Sequence, residues 1–253
     1  MPVKRLPSLL HAPLLCAAGL LLLIPAARAA TWPVVVFQPS HQTDTGEAYN
    51  EAATCGAYVD YAMAARPDKS MHKVWSYGRS GLHHADAGSN TLLAHTTALE
   101  DGKISGYAWE LKQSNALKPD IFIGVHNNGG TNRHAVWGYI HDGDPLMEKN
   151  RRLSNLIIEE IARATDLENR GTHLDSSTGR NDYRCAVTGR LGFYSIDENV
   201  NAAPYRVILE IGDSEKSRAF LLSKKSRKAT GEAIRRGLDR FISELAAEKT
   251  VRK

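Results

Sequence analysis

Apolar residues along this chain fall into two kinds of run. The short kind is continuous: Val34 to Phe37, Ile121 to Val125 and Val207 to Leu209 are mostly β-branched or aromatic and are bounded by turn residues. Runs of this kind predict strands buried on both faces, as in a parallel sheet covered by helices. The first strand is expected over Trp32 to Phe37, closing in Gln38-Pro39-Ser40-His41. A further strand is expected over His72 to Tyr77. Ala135 to Ile140 alternates in a way that suits an edge or half-exposed strand. Tyr205 to Leu209 predicts another buried strand, ending in Glu210-Ile211-Gly212-Asp213.

The second kind of run recurs at helical spacing. From Asn50, Ala53, Cys55, Gly56, Ala57, Val59 and Met63 give a small-residue face that Arg66-Pro67 ends. Asn50 suits the N-cap. Glu51 then falls in the first turn, where the helix dipole favours a carboxylate. Tyr107 to Asn115 reads as a helix leading into the Ile121 strand. Asp144-Pro145 predicts a helix start, and Leu146, Leu153, Leu156, Ile157 and Ile161 follow on one face. Two more helices are expected over Ser217 to Leu222 and Thr230 to Leu245. The last buries Ile234, Leu238, Phe241, Ile242 and Leu245, and the Lys/Arg-rich stretch from Lys224 reads as a solvated helix face or as a weak attraction for an anionic polymer. Residues 168–204 read as loop, with Val187 a strand candidate.

Strands and helices alternate without repeats or a Pro/Ser linker. The expected fold class is therefore α/β: a single domain, with a mostly parallel twisted sheet flanked by helices. Residues 80–105 fit neither pattern and read as an insertion, a lid or a solvated loop.

Composition changes the picture at the amino terminus. Lys4 and Arg5 precede an apolar stretch from Leu14 to Ile24, and Ala27-Arg28-Ala29 has the form of a cleavage site. Residues 1–29 thus read as a secretory signal peptide, too short in its apolar part to span a bilayer. The expected domain is 30–253, periplasmic or secreted, with no stable membrane anchor after cleavage. Removing Lys4, Arg5 and Arg28, with no acid among them, takes the formal net charge from +4 to about +1. That balance does not call for nucleic acid as a partner. Cys55 and Cys185 remain, either paired in an oxidising compartment or buried as thiols.

Three strand ends carry candidate chemistry: His41, His126 and Glu210. Parallel strands bring their carboxyl ends to one edge, where open α/β sheets bind ligands. Glu51 opens the helix after the first strand and faces the same edge. Each residue also has a plain structural reading: a histidine bonded to a neighbouring loop, or a glutamate placed by the helix dipole. Together, two His and one Glu make the ligand set of many catalytic zinc sites, with a position left for water. A further carboxylate can move that water's proton to a leaving nitrogen. The set suits metal-assisted amide hydrolysis, although no short HExxH motif is present.

Four blocks carry a resemblance to a known family. Val34 to His41 resembles a first strand ending in a zinc-binding His. Glu51 resembles the zinc-binding Glu at the head of the first helix. Ala116 to Asn127, reading ALKPDIFIGVHN, is similar to a strand ending in Ser-Ile-His-x-Asn. Val207 to Gly212, reading VILEIG, resembles the segment of a catalytic Glu. Val74 to Arg79 and Gly231 to Phe241 match more weakly. The family is that of the zinc-dependent N-acetylmuramoyl-L-alanine amidases of bacterial cell-wall turnover, with a phosphorylase/hydrolase-like fold.

The resemblance implies Zn2+ as cofactor, held by His41, Glu51 and His126, with Glu210 as general base and acid. It implies peptidoglycan as substrate, cut between N-acetylmuramic acid and L-alanine. Some relatives carry an inserted segment that a protein partner displaces, so an activator is an expectation for residues 80–105. A monomer is expected. The chain departs from the family at Gln42-Thr43, where Gly-Gly is usual, and at Asp213-Ser214, where an aromatic and then an Asn are usual. The shorter loop before Glu51 makes Glu47 a second candidate ligand. The departures motivate a second reading, a related zinc amidohydrolase or carboxypeptidase for small acyl-amino acids or peptides; a third, from another class, is a catalytically silent cell-wall-binding or regulatory protein on this fold.

Overall fold

The buried runs become the centre of a six-stranded sheet. The structure, a computed structural model, describes residues 32–42, 49–65, 70–76, 106–179, 183–185 and 187–251. The expected signal peptide, Glu47 and the 80–105 insertion lie outside these residues. Among those described, the strands are β1 (Val35–Pro39), β2 (Met71–Lys73), β3 (Ile121–Asn128), β4 (Ala135–Ile140), β5 (Glu168–Leu174) and β6 (Tyr205–Asp213). The helices are α1 (Glu51–Ala65), α2 (Gly106–Ala116), α3 (Met147–Ala164), α4 (Arg218–Leu222) and α5 (Lys224–Val251). None is long and apolar enough to cross a membrane.

The strand order is β2-β1-β3-β6-β4-β5. β2, β1, β3 and β6 run parallel, whereas β4 is antiparallel to β6 and β5 is parallel to β4. Side chains alternate between two cores, as the pleat requires. Val35, Phe37, Ile121, Ile123, Val125, Val207 and Leu209 join the larger core with α1, α3 and α5. Val36, Phe122 and Ile208 point the other way, to Leu111 of α2 and to Ile196. Complete burial of an Ile, Leu or Phe contributes roughly 1.5–3 kcal/mol each, so both faces support the central strands.

Helix α5 lies against both α1 and α3, and two glycines allow it. A Cβ on Gly231 would stand 2.5 Å from the Tyr58 carbonyl oxygen, and one on Gly237 would stand 2.5 Å from Ile157 Cα. The close approach at Gly231 brings α5 against the middle of α1, the helix that Glu51 opens.

Four expectations need correction. Ala135 to Ile140 is not an edge: β4 is almost wholly buried between β6 and β5. The edge on that side is β5, whose largely exposed sequence ENRGTHL lacks an apolar run and so reads as loop. Val187 belongs to a turn and is 70% exposed, not a strand residue. Helix α3 begins at Met147, past Asp144, and Leu146 is exposed. Asp144 instead accepts from the Leu146 N–H at 2.7 Å and from Asn150 Nδ2 at 2.8 Å, and pairs with buried Arg206. The remaining strands and helices lie near their expected places, with β2 shorter and α5 longer.

Candidate active site

Parallel pairing of β1 with β3 sets the first histidine. Pro39 is level with Val125, and the Ser40 N–H donates to the Val125 carbonyl at 2.8 Å. His41 follows, fully buried. Its Nδ1 lies 3.2 Å from Oε2 of Glu110 on α2. A carboxylate can only accept, so the ring hydrogen belongs on Nδ1 and the Nε2 lone pair is left for another partner. Glu110 also accepts from Gln38 Nε2 at 2.7 Å and from the Ser76 N–H and hydroxyl at 2.8 and 2.6 Å. Burial pushes the Glu110 carboxyl up, but the neighbouring His41 and the hydrogen bonds from His41 and Ser76 prevail and hold it below its usual value.

Glu51 is placed by the head of α1. Asn50 Oδ1 accepts from the Ala53 N–H at 2.8 Å, the expected cap. The Ala52 N–H donates to the Gln42 carbonyl at 2.9 Å, tying the helix start to the chain just after His41. The Glu51 carboxylate is buried; its Oε1 lies 3.3 Å from His126 Nδ1 and accepts from the Asn127 N–H at 3.3 Å.

His126 and Glu210 are register partners on β3 and β6, so their side chains leave the same face of the sheet. Trp137 of β4 is level with Glu210 on its other side. Asn127 fastens the two strands beside this pair: its Nδ2 donates to the Ile211 carbonyl at 2.5 Å, and its Oδ1 accepts from the Tyr49 hydroxyl. Cys55 Sγ lies 3.4 Å from the same oxygen. Burial, then the charges of Glu51 and Glu210, push the Cys55 thiol well above its usual value. Tyr49 is raised by burial, then by Cys55, Glu51, Tyr58 and Glu210. Neither group ionises readily, and neither is a nucleophile.

The structure therefore brings Glu51, His126 and Glu210 together and sets His41 at the adjoining strand end. It does not draw the three expected ligands into the tightest cluster. Among the described residues, the donors that all lie within 4.8 Å of one another belong to His141, Cys185 and Asp197. Cys55 and Cys185 are both free thiols. Asp213 holds loops in place. Its Oδ2 accepts from the Thr131 N–H and hydroxyl, both at 2.7 Å, and from the Asn132 N–H at 3.1 Å, while its Oδ1 accepts from the Glu215 and Lys216 N–H groups at 3.0 and 2.9 Å. These bonds join the loops after β3 and β6.

Sequence reasoning passed over Glu110. Its signal was an acid beside Leu111 on the face of α2 that also buries Ser114. His141 was passed over too, although it stands just past a strand as His41 and His126 do. The direction of β4, which puts it at the other edge of the sheet, has no local signature.

No family model and no curated protein matches the sequence. Solved structures do. The catalytic domain of CwlV, an N-acetylmuramoyl-L-alanine amidase from Bacillus (Paenibacillus) polymyxa var. colistinus, superposes with a TM-score of 0.55 at 16% identity, over 83% of this chain and 98% of that one. AmiC2, the amidase of Nostoc punctiforme, gives 0.51 at 16% identity, over 83% and 96%. The CwlD amidase of Clostridioides difficile, solved in complex with the GerS lipoprotein, gives 0.54 at 15% identity, over 84% and 99%. The described chain has the fold of N-acetylmuramoyl-L-alanine amidase catalytic domains.

Proposed function

We propose that this protein is an exported, zinc-dependent N-acetylmuramoyl-L-alanine amidase that cleaves peptidoglycan between the lactyl group of N-acetylmuramic acid and L-alanine. One observation carries the reading: Glu210 is level with His126 on the neighbouring strand, and the Glu51 carboxylate lies 3.3 Å from that same histidine. The fold is one that amidase catalytic domains share, which supports the reaction class.

By ligand type the donor set suits a zinc ion. His41 is oriented by the buried Glu110, the carboxylate-histidine arrangement common behind metal ligands. Glu51 and His126 add a carboxylate and a second imidazole, 3.3 Å apart. His41, Glu51 and His126 would hold the ion. When bound, zinc lowers the pKa of a water to about 7 and polarises the amide carbonyl.

Glu210 takes a proton from the attacking water and returns it to the leaving nitrogen of L-alanine. Its backbone is held from both sides, by β3 and β4, so its carboxylate starts from a rigid strand. Trp137 supplies an apolar neighbour on the β4 side. Residues 1–29 would direct export and be removed.

Metal content and release of peptide from intact sacculi test this together. The expected result is zinc in the purified chain, less of it in His126→Ala, and hydrolysis by the parent only. Full hydrolysis by Glu210→Gln, or by a metal-free protein, would overturn the assigned roles.

A further inference from the structure

A second constellation lies away from the amidase edge. His141 follows β4, which runs antiparallel to β6; Trp137 is level with Glu210, and Tyr139 with Ile208. Two residues further on, His141 has moved to the start of β6. At about 3.3 Å per residue, the four positions from Glu210 to Arg206 separate the two places by about 13 Å along the strand.

His141 is buried, and its Nδ1 donates to Asp175 Oδ2 at 2.7 Å. Asp175 is buried as well and is itself held by the Asp142 and Phe193 N–H groups, both at 3.0 Å. That leaves His141 Nε2 pointing at acceptors. It lies 3.6 Å from Glu198 Oε2 and 3.9 Å from Asp197 Oδ2, beyond hydrogen-bond length, and among the described residues neither Nε2 nor Glu198 Oε2 has a hydrogen-bond partner. Cys185 Sγ completes a group whose donor atoms with His141 and Asp197 lie within 4.8 Å of one another. Ligands on a tetrahedral zinc ion stand roughly 3.3–3.6 Å apart, given bonds of about 2.0–2.3 Å. The spacing is that of a slightly open ligand shell.

The surroundings fit a thiolate. Cys185 opens a tight turn in which the Gly189 N–H donates to its carbonyl at 2.9 Å. The Thr188 N–H and Asn199 Nδ2 then point at Sγ, at 3.5 and 3.7 Å. Asp197 is fixed by the Tyr183 hydroxyl and by the N–H and Nδ2 of Asn199, both of these at 2.8 Å. Residues 187–204 contain one 3-10 turn, Tyr194–Ile196, and one isolated bridge, Arg184 to Leu191, reaches into them. A metal would fasten that segment to the end of β4.

We propose that His141, Cys185, Asp197 and Glu198 form a second metal site, for a divalent ion of the zinc class, with Asp175 orienting the histidine from behind. One sulfur, one imidazole and carboxylates select zinc over magnesium or calcium. The role is structural. The site is independent of the amidase reading, since it shares no residue with it.

Cobalt substitution tests it. Loaded with Co2+, the purified chain should show a sulfur-to-cobalt charge-transfer band. The band should persist in His126→Ala and in Cys55→Ser and disappear in Cys185→Ser, which should bind one equivalent of zinc fewer than the parent. Asp175→Asn should keep the band but bind zinc 10- to 100-fold more weakly. Absence of the band from the parent protein would overturn the proposal without any variant, should Cys185→Ser fail to fold. A band that survives Cys185→Ser, or that vanishes only with Cys55→Ser, would overturn it as well.

Discussion

Glu110 and His41 are joined by a hydrogen bond of 3.2 Å inside the protein, between a helix on one face of the sheet and the end of β1. The bond selects the histidine tautomer and aims the ring. Glu110→Gln removes the charge and can turn an N–H towards His41, which favours the wrong tautomer. We expect zinc affinity to fall 10- to 100-fold, as for other carboxylates behind metal-bound histidines. Competition with a chromogenic chelator measures it. Unchanged affinity would mean that Glu110 serves packing alone.

Glu210 has a different signature. Glu210→Gln keeps the size of the side chain but cannot take a proton. Zinc content should stay at the parent level, while kcat on murein falls about 10²–10⁴-fold, the usual worth of a positioned general base. KM should change little. A variant that loses metal and activity together would make Glu210 a ligand instead.

The sheet and the site were unequally legible. Continuous runs such as Ile121 to Val125 announced the parallel centre, because strands buried on both faces leave nothing polar to alternate with. β5 escaped because Glu168 to Leu174 is an exposed edge built from polar residues, held by pairing with β4 and not by its own apolar content. The same limit governs the chemistry. His126 and Glu210 could be placed at one edge from strand direction alone. His141 obeyed the same local rule, yet it belongs elsewhere because β4 is reversed. Glu110 was hidden for another reason: its partner is 69 positions away in sequence, and only the packing of α2 on the sheet brings them together.

Asp213 should matter for stability and hardly for chemistry. Burial raises its carboxyl, but the hydrogen bonds from Lys216, Thr131 and Glu215 prevail and hold it below the usual range. A carboxyl depressed in the folded state contributes stability that is present above its unfolded pKa, about 3.9, and is lost as pH falls through the folded value. Asp213→Asn should therefore lower stability at pH 7 by about 1–3 kcal/mol, the cost of leaving buried partners unsatisfied. The difference from the parent should shrink below about pH 4. Urea unfolding at both pH values checks the sign; a gap that widens in acid would reverse the assignment.

Gly56 ties the sheet edge that holds His41 to an aromatic side chain. A Cβ there would stand 2.4 Å from Trp75 Cη2 and 2.7 Å from Cζ2. The Trp75 indole N–H donates to the Ser40 carbonyl at 2.8 Å, one residue before His41. The methyl group of Gly56→Ala cannot enter unless the indole moves, and moving the indole strains the hydrogen bond that steadies the end of β1. Overpacking of this kind costs about 1–3 kcal/mol. We expect Gly56→Ala to lower the melting temperature and to weaken zinc binding, with a shift in tryptophan emission. Helix propensity alone predicts the opposite sign for stability, since Ala is favoured over Gly inside a helix by about 1 kcal/mol. The two effects separate in a double-mutant cycle with Trp75→Ala. In the Trp75→Ala background the clash is gone, so Gly56→Ala should become neutral or stabilising; an equal loss in both backgrounds would place the strain elsewhere.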